Sequence, residues 1–222
     1  MAGILAFEAV TRGGSACYWQ AGSGCLAERA PAGPSAAGGL VPALCELLRG
    51  HPRPQALALA VGPGSFTGLR IAVVAARTLG WLEDLPVHPV DTLGAIAAAA
   101  GPGTWWVWQP LKRDTTFHGV YEVGETGPLA LVPPCACADA TPPGLPELAQ
   151  RPTVIGPALE QKPELAAVWA PDAQLGSAQA VSARGVALAA LAYPAIGWRA
   201  LEPQYCMPSA PELQRAAAGG GG

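Results

Sequence analysis

Short apolar runs separated by glycine, proline and polar turns set the pattern of this chain. GILAFEA, a TRGG turn and SACYW read as a hairpin of two strands, with a third strand near Leu26. After the Pro/Gly stretch APAGPSAAGG, the recurrence of Leu40, Leu44, Leu47 and Leu48 predicts an amphipathic helix over 40–49. ALALAV (56–61) is apolar throughout and predicts a buried strand. From Phe66 to Trp81 the pattern is helical with two apolar or small stripes, Leu69, Val73, Ala76 and Gly80 on one, Ile71, Val74, Ala75 and Thr78 on the other. Only Arg70 and Arg77 interrupt it, so this helix needs something to lie against on each side. PVHPV is a short strand, DTLGAIAAAA a nearly uncharged helix capped by Asp91 or Thr92, and TWWVW another strand. The first hundred residues therefore read β-β-β-α-β-α-β-α.

Gly101 to Gly103 punctuate the chain, and a second pass of strand material follows in TWWVWQP and FHGVYEV. PPCACADATPPG reads as a Pro-rich loop, TVIGPA as a strand, VSARGVALAALAY as a helix and LEPQYCM as a final extended piece. This is a weak second copy of the same strand-then-helix order. The terminal AAAGGGG is low in complexity and predicts disorder.

Half of the residues are hydrophobic, which supplies a sizeable core without staples. A net charge of -3, with 13 Lys plus Arg and no basic run, lacks the electrostatic footprint of a protein that grips RNA by itself. Charged residues are only 13%, well under the roughly 25% of soluble domains, which leaves apolar surface for a partner. A GC-rich genome would produce the same excess of Ala, Gly and Pro. Six cysteines without a basic-then-apolar leader in MAGILAFEAV read as free cytosolic thiols, and no stretch approaches the ~20 apolar residues of a membrane span. A soluble, cytoplasmic protein with no membrane association is expected.

The candidate chemistry is sparse. GPGSFTG (62–68) is one residue longer than the dinucleotide fingerprint and lacks the Gly-Lys-Ser/Thr of a phosphate loop, and Pro63 removes an amide donor. Asp91 stands where a ribose-binding acid would, but serves better as a helix cap. The favoured reading of the loop is structural. Gly62 and Gly64 allow the tight exit from the strand, Ser65 or Thr67 caps the helix, and Gly68 lets that helix approach a neighbour. Ser65 lacks the Gly-x-Ser-x-Gly of a nucleophile elbow, and His51, His88 and His118 are isolated in sequence. Cys135 and Cys137 have no second pair or flanking His at zinc spacing and read as incidental thiols. Glu8 ends the first strand, yet the corresponding position of the second repeat is Gln109, and one acid without its counterpart makes no metal site. Lys112, Arg113 and Asp114 read as a solvated turn. No catalytic residue, metal or cofactor is assigned.

ILAFEAVTRGGSACYW, ALAVGPGSFTGLRIAVVAARTLG, PVDTLGAIA, FHGVYEV, TVIGPA and LEPQYCM fall in an order that resembles the TsaB (YeaZ) family, the dimerization subunit of the bacterial machinery for threonylcarbamoyladenosine in tRNA. The resemblance runs to about Met207, and GPGSFTGLR is its most specific element. It implies an α/β protein of two ribonuclease-H-like lobes, as in the superfamily of actin, sugar kinases and the Hsp70 ATPase. The implied lobes are 1–103, with the dimerization helices, and a degenerate 104–207, followed by a disordered tail at 208–222.

The resemblance further implies a non-catalytic scaffold that binds and activates TsaD, the subunit carrying the metal- and ATP-dependent transfer chemistry. The ATPase TsaE joins through the complex and tRNAs reading ANN codons are met only indirectly; a homodimer of the chain alone is left open, because the same apolar face serves either pairing. Carried over by position, the interface candidates are Leu69, Arg70, Val73, Val74 and Arg77 from one helix and Leu93, Ile96 and Ala97 from the next; which of them face outward is left open. Where the family has Asp followed by Thr or Ser, Ile-Asp-Ala-Arg, and Tyr-Leu-Arg, this chain has Glu8-Ala9-Val10, a strand ending in Gln109, and Tyr205-Cys206-Met207. These departures favour the scaffold over nucleotide binding. The rival readings are a stand-alone nucleotide-binding phosphotransferase or peptidase of the same fold, and a homodimeric regulatory protein.

Overall fold

A computed structural model describes residues 3–20, 22–29 and 36–206, and Met207 and the 208–222 tail lie outside these described residues. The first sheet has the order β3-β2-β1-β4-β5. Its strands are β1 (Gly3–Glu8), β2 (Ser15–Gln20), β3 (Gly24–Arg29), β4 (Ala56–Gly62) and β5 (Val87–Asp91). β1 pairs antiparallel with β2 and parallel with β4. Three helices interleave with them: α1 (Ala36–Gly50), α2 (Phe66–Glu83) and α3 (Thr92–Ala100). The expected β-β-β-α-β-α-β-α order is what forms.

The second sheet has the order β8-β7-β6-β9, from β6 (Gly103–Lys112), β7 (Thr115–Gly124), β8 (Gly127–Ala138) and β9 (Thr153–Ile155). Short helices α4 (Ala158–Gln161) and α5 (Leu165–Trp169) follow, then α6 (Ala183–Ala189) and 3-10 turns at Ala190–Ala192 and Trp198–Ala200. The expected Pro-rich loop is corrected: PPCACA belongs to β8. Proline cannot donate to a ladder, but β8 is an edge strand, where a missing donor is tolerated. Within the described residues, LEPQYC (201–206) forms no regular strand.

Alternation along the strands builds the layers. In β4, Ala56, Ala58 and Ala60 face the core shared with α3 and α6, while Leu57, Leu59 and Val61 face the core beneath α1 and α2. Small alanines let helices lie close on one face, and each fully buried Leu contributes roughly 1.5–3 kcal/mol on the other. In β6, Val107 faces the α3/α6 layer, whereas Trp106 and Trp108 join Leu165 and Trp169 of α5. The sequence of layers is thus α1/α2, first sheet, α3/α6, second sheet, α4/α5. At Gly185 of α6 an added Cβ would run into the Ala95 carbonyl of α3, so this crossing requires glycine. α6 packs on β1, β2 and β4, and an isolated bridge between Val87 and Ile196 adds to the edge of the first sheet. The chain after residue 182 therefore returns to the first sheet. Two sheets with helices on each face make this an α/β fold, as expected.

Candidate functional site

The 62–68 loop is filled by its own chain. Gly62 has φ +132, and a Cβ there would strike the Gln204 carbonyl; the Gln204 amide in turn donates to the Val61 carbonyl at 2.7 Å. A Cβ on Gly64 would run into Val10, and one on Gly68 into the Ala9 carbonyl. The neighbour that Gly68 approaches is therefore the end of the β1 segment. Ser65 is the N-cap of α2, its Oγ accepting from the Gly68 amide at 3.3 Å, while Thr67 is exposed on the first turn. Each of these three glycines is thus required by a close approach of the chain itself.

α2 is apolar on both sides, as its two stripes predict, but the two sides differ in what covers them. Leu69, Val73, Ala76 and Gly80 are buried against the first sheet and the C-terminal segment. The opposite side carries Phe66, Arg70, Val74, Thr78, Trp81 and Leu82, all exposed, at three- and four-residue spacing. Val74 and Trp81 each retain 63% exposure, which marks an uncovered apolar stripe rather than a core edge. Residues 198–206 strap this helix in place. Arg77 Nε donates to the Leu201 carbonyl at 2.9 Å, Arg70 Nε donates to the Tyr205 hydroxyl at 3.3 Å, and Trp198 packs over Gly80.

Among the eight interface candidates, Arg70 and Val74 stand on the exposed stripe and Arg77 is half-buried under the strap. Leu69 and Val73 belong to the inner stripe, and Leu93, Ile96 and Ala97 of α3 are fully buried between the two sheets. These five face inward, which answers the orientation left open by the sequence: α3 lacks charge because it is enclosed between the two sheets. Phe66, Trp81 and Leu82 were missed. Their signal was the four-residue step from Phe66 through Arg70, Val74 and Thr78 to Leu82, with Trp81 three residues past Thr78.

The acidic candidates serve the fold. Buried Glu8 accepts from the Thr11 amide at 2.9 Å, the Thr11 hydroxyl at 2.7 Å and the Ser15 hydroxyl at 3.0 Å. Burial outweighs these bonds and lifts its carboxyl above the ordinary 4.5. Gln109 lies half-buried on β6 opposite Phe117. Asp91, not Thr92, is the α3 cap: Oδ1 accepts from the Gly94 amide at 2.7 Å and from the Tyr121 hydroxyl at 2.9 Å, and Oδ2 accepts from Tyr193. Burial raises its pKa as well.

His51 stacks on Tyr18, and His88 Nδ1 donates to the Tyr193 carbonyl at 2.7 Å. His118 is not isolated in space: Cys135 and Cys137 both lie against its Nε2. Burial pushes the Cys135 thiol up to about 11. A cavity of about 510 Å³ lined by Asp84, Leu85, Pro86 and Trp198 lies at the far end of α2 from the glycine loop. No helix among the described residues is long and apolar enough to cross a membrane.

Residues 52–104, which include the glycine loop, α2 and α3, match the family described as "TsaD: tRNA N6-adenosine threonylcarbamoyltransferase". The chain is similar to "tRNA threonylcarbamoyladenosine biosynthesis protein TsaB" of Bacillus subtilis (strain 168), 48% identical over 42 residues. That stretch is 19% of this chain and 18% of the relative. The protein of the same description from Haemophilus influenzae is 50% identical over 46 residues, 21% of this chain and 20% of its own. The chain thus matches about a fifth of the length of each relative. The fold extends the likeness: YeaZ from Pseudomonas aeruginosa superposes with a TM-score of 0.78 at 20% identity, over 92% of this chain and 100% of that structure. A second structure, described as having similarity to the peptidase YeaZ from the same organism, gives 0.78 and 20% over 93% and 100%. The partial sequence matches are thus to TsaB proteins over about a fifth of the chain, and the whole-chain likeness to the YeaZ structures shows a shared fold.

Proposed function

We propose that this chain is a scaffold subunit in threonylcarbamoyladenosine synthesis on tRNA, binding and activating a TsaD-type catalytic subunit through the outer stripe of α2. The observation that carries this reading is the uncovered stripe Phe66, Arg70, Val74, Trp81 and Leu82 on a helix whose other side is fully engaged. An apolar stripe held rigid by its own sheet and strap loses little entropy when a matching helix lies on it. The same stripe serves a homodimer when the chain is alone. A TsaE-type ATPase and tRNA are reached through the catalytic subunit. The lobes are read as 1–103 and 104–207, with the segment after residue 182 returning to the first.

A non-catalytic role agrees with where the polar groups are spent. The oxygens of Glu8 are bonded within the β1–β2 turn, and the glycine loop is packed by Val10, Ala9 and Gln204. Reconstituted threonylcarbamoyl transfer to tRNA tests the reading. The TsaD-type subunit should turn over only when this chain is added, and equal turnover without it would refute the proposal.

A further inference from the structure

Outside the α2 surface, the second sheet holds a cluster that local sequence does not announce. β7 and β8 place His118 and Cys135 directly opposite each other as a cross-strand pair. Cys137, two residues along β8, points to the same face and reaches the same ring from the diagonal position. The ladder is irregular between His118 and Val120, the kind of local kink that re-aims a side chain. As a result Cys135 Sγ lies 3.0 Å and Cys137 Sγ 3.3 Å from His118 Nε2. All three ligand atoms fall within 4.8 Å of one another.

We infer that His118 Nε2 and the sulfurs of Cys135 and Cys137 form a site for a thiophilic d10 cation of the zinc or copper(I) class. One imidazole and two thiolates suit soft or borderline cations and not magnesium or calcium, which take oxygen donors. The next residue on this face, Asp139, is already used: Oδ1 accepts from Thr116 at 2.8 Å and Oδ2 pairs with Lys162 at 2.6 Å. That leaves a three-ligand set of N, S and S. It is complete for trigonal copper(I), and it leaves one position open on a tetrahedral zinc.

The surroundings hold the ligands in place. The His118 ring is buried, with Trp169 edge-on at 5.8 Å and Trp106 at 6.2 Å between centroids, and Cys135 is exposed and provides the way in. Trp106 Nε1 donates to His118 Nδ1 at 3.3 Å, which leaves the proton of the neutral ring on Nε2, facing the sulfurs. A cation takes the place of that proton. The ring proton moves to Nδ1, the long Trp106 contact opens, and the two thiols release their protons to solvent. Metal loading therefore has an optical signature of its own in the indole environment.

The test is titration of the reduced, metal-free full chain with zinc(II), copper(I) and cadmium(II), following thiolate-to-cadmium charge transfer in the ultraviolet and tryptophan emission. One equivalent of zinc or copper(I) should bind, with a change in emission. Cys135→Ser and Cys137→Ser should each weaken binding at least about tenfold, and Cys45→Ser, on α1, should not. Because His118 is buried and its replacement can unfold the second sheet, the partly accessible cysteines carry the test, with circular dichroism confirming that each variant is folded. Absence of stoichiometric binding would overturn the inference. So would binding that survives in the Cys135→Ser/Cys137→Ser double variant, which would place the ion on other thiols.

Discussion

The ring of Tyr205 stacks on that of Phe66, with centroids 4.7 Å apart and planes 29° from parallel. The Arg70 guanidinium lies over the Phe66 ring, 4.1 Å from its centroid, and its Nε donates to the Tyr205 hydroxyl. One end of the exposed α2 stripe is thereby organised by the C-terminal strap. An aromatic pair of this kind contributes about 0.5–1.5 kcal/mol beyond its buried area. Tyr205→Ala should cost that much or less in global stability while releasing residues 201–206, seen as faster amide exchange in the strap and at the start of α2.

Val73 and Val74 are neighbours in sequence and opposites in space. Val73 is 4% exposed within the first core and Val74 is 63% exposed on the stripe. Val73→Glu would leave a buried charge without a partner and should destabilise by about 3–5 kcal/mol. Val74→Glu should change stability by no more than about 0.5 kcal/mol. Thermal unfolding of the two variants side by side checks which stripe faces inward.

Gly68 sits where α2 meets the Ala9 carbonyl, and an added Cβ forces the helix off the sheet. Gly68→Ala should cost about 1–3 kcal/mol through overpacking, and Ser65→Ala about 0.5–2 kcal/mol through loss of the cap. Denaturant titration measures both. A null effect of Gly68→Ala would mean that the helix can move outward without loss.

The strand and helix order of the first sheet was legible because each apolar run is bounded by glycine, proline or a polar turn, and burial on both faces of β1 and β4 requires unbroken hydrophobicity. The glycine loop was legible for the same local reason. The orientation of α3 was not. A helix without charge satisfies an interior position as well as an interface, and only the placement of the second sheet decides between them. β8 was hidden by Pro133 and Pro134, which are admitted by the register shift opposite His118 and Val120 together with the edge position of β8 among the described strands. His118 and the cysteines meet through cross-strand register, which no local spacing records.

Tyr121 of the second sheet and Tyr193 both donate to Asp91, the cap of α3, so one buried carboxylate ties three parts of the chain. Burial lifts its pKa above 3.8, so the folded chain holds a proton that the unfolded chain releases at lower pH. The sign follows: this contribution to stability is complete below 3.8 and is lost as pH rises through the folded value. Asp91→Asn should flatten the fall of stability from acidic to neutral pH. Tyr121→Phe should cost about 1 kcal/mol or more through loss of its bond to Asp91, measured by denaturant titration.

Size-exclusion chromatography with light scattering, on this chain, on the TsaD-type subunit of its own organism and on their mixture, tests the central claim most directly. The outer α2 stripe as a partner-binding face predicts a heterodimer peak that consumes any homodimer and disappears with the folded Val74→Glu variant. Two unchanged peaks, or a heterodimer that forms equally well with Val74→Glu, would contradict it.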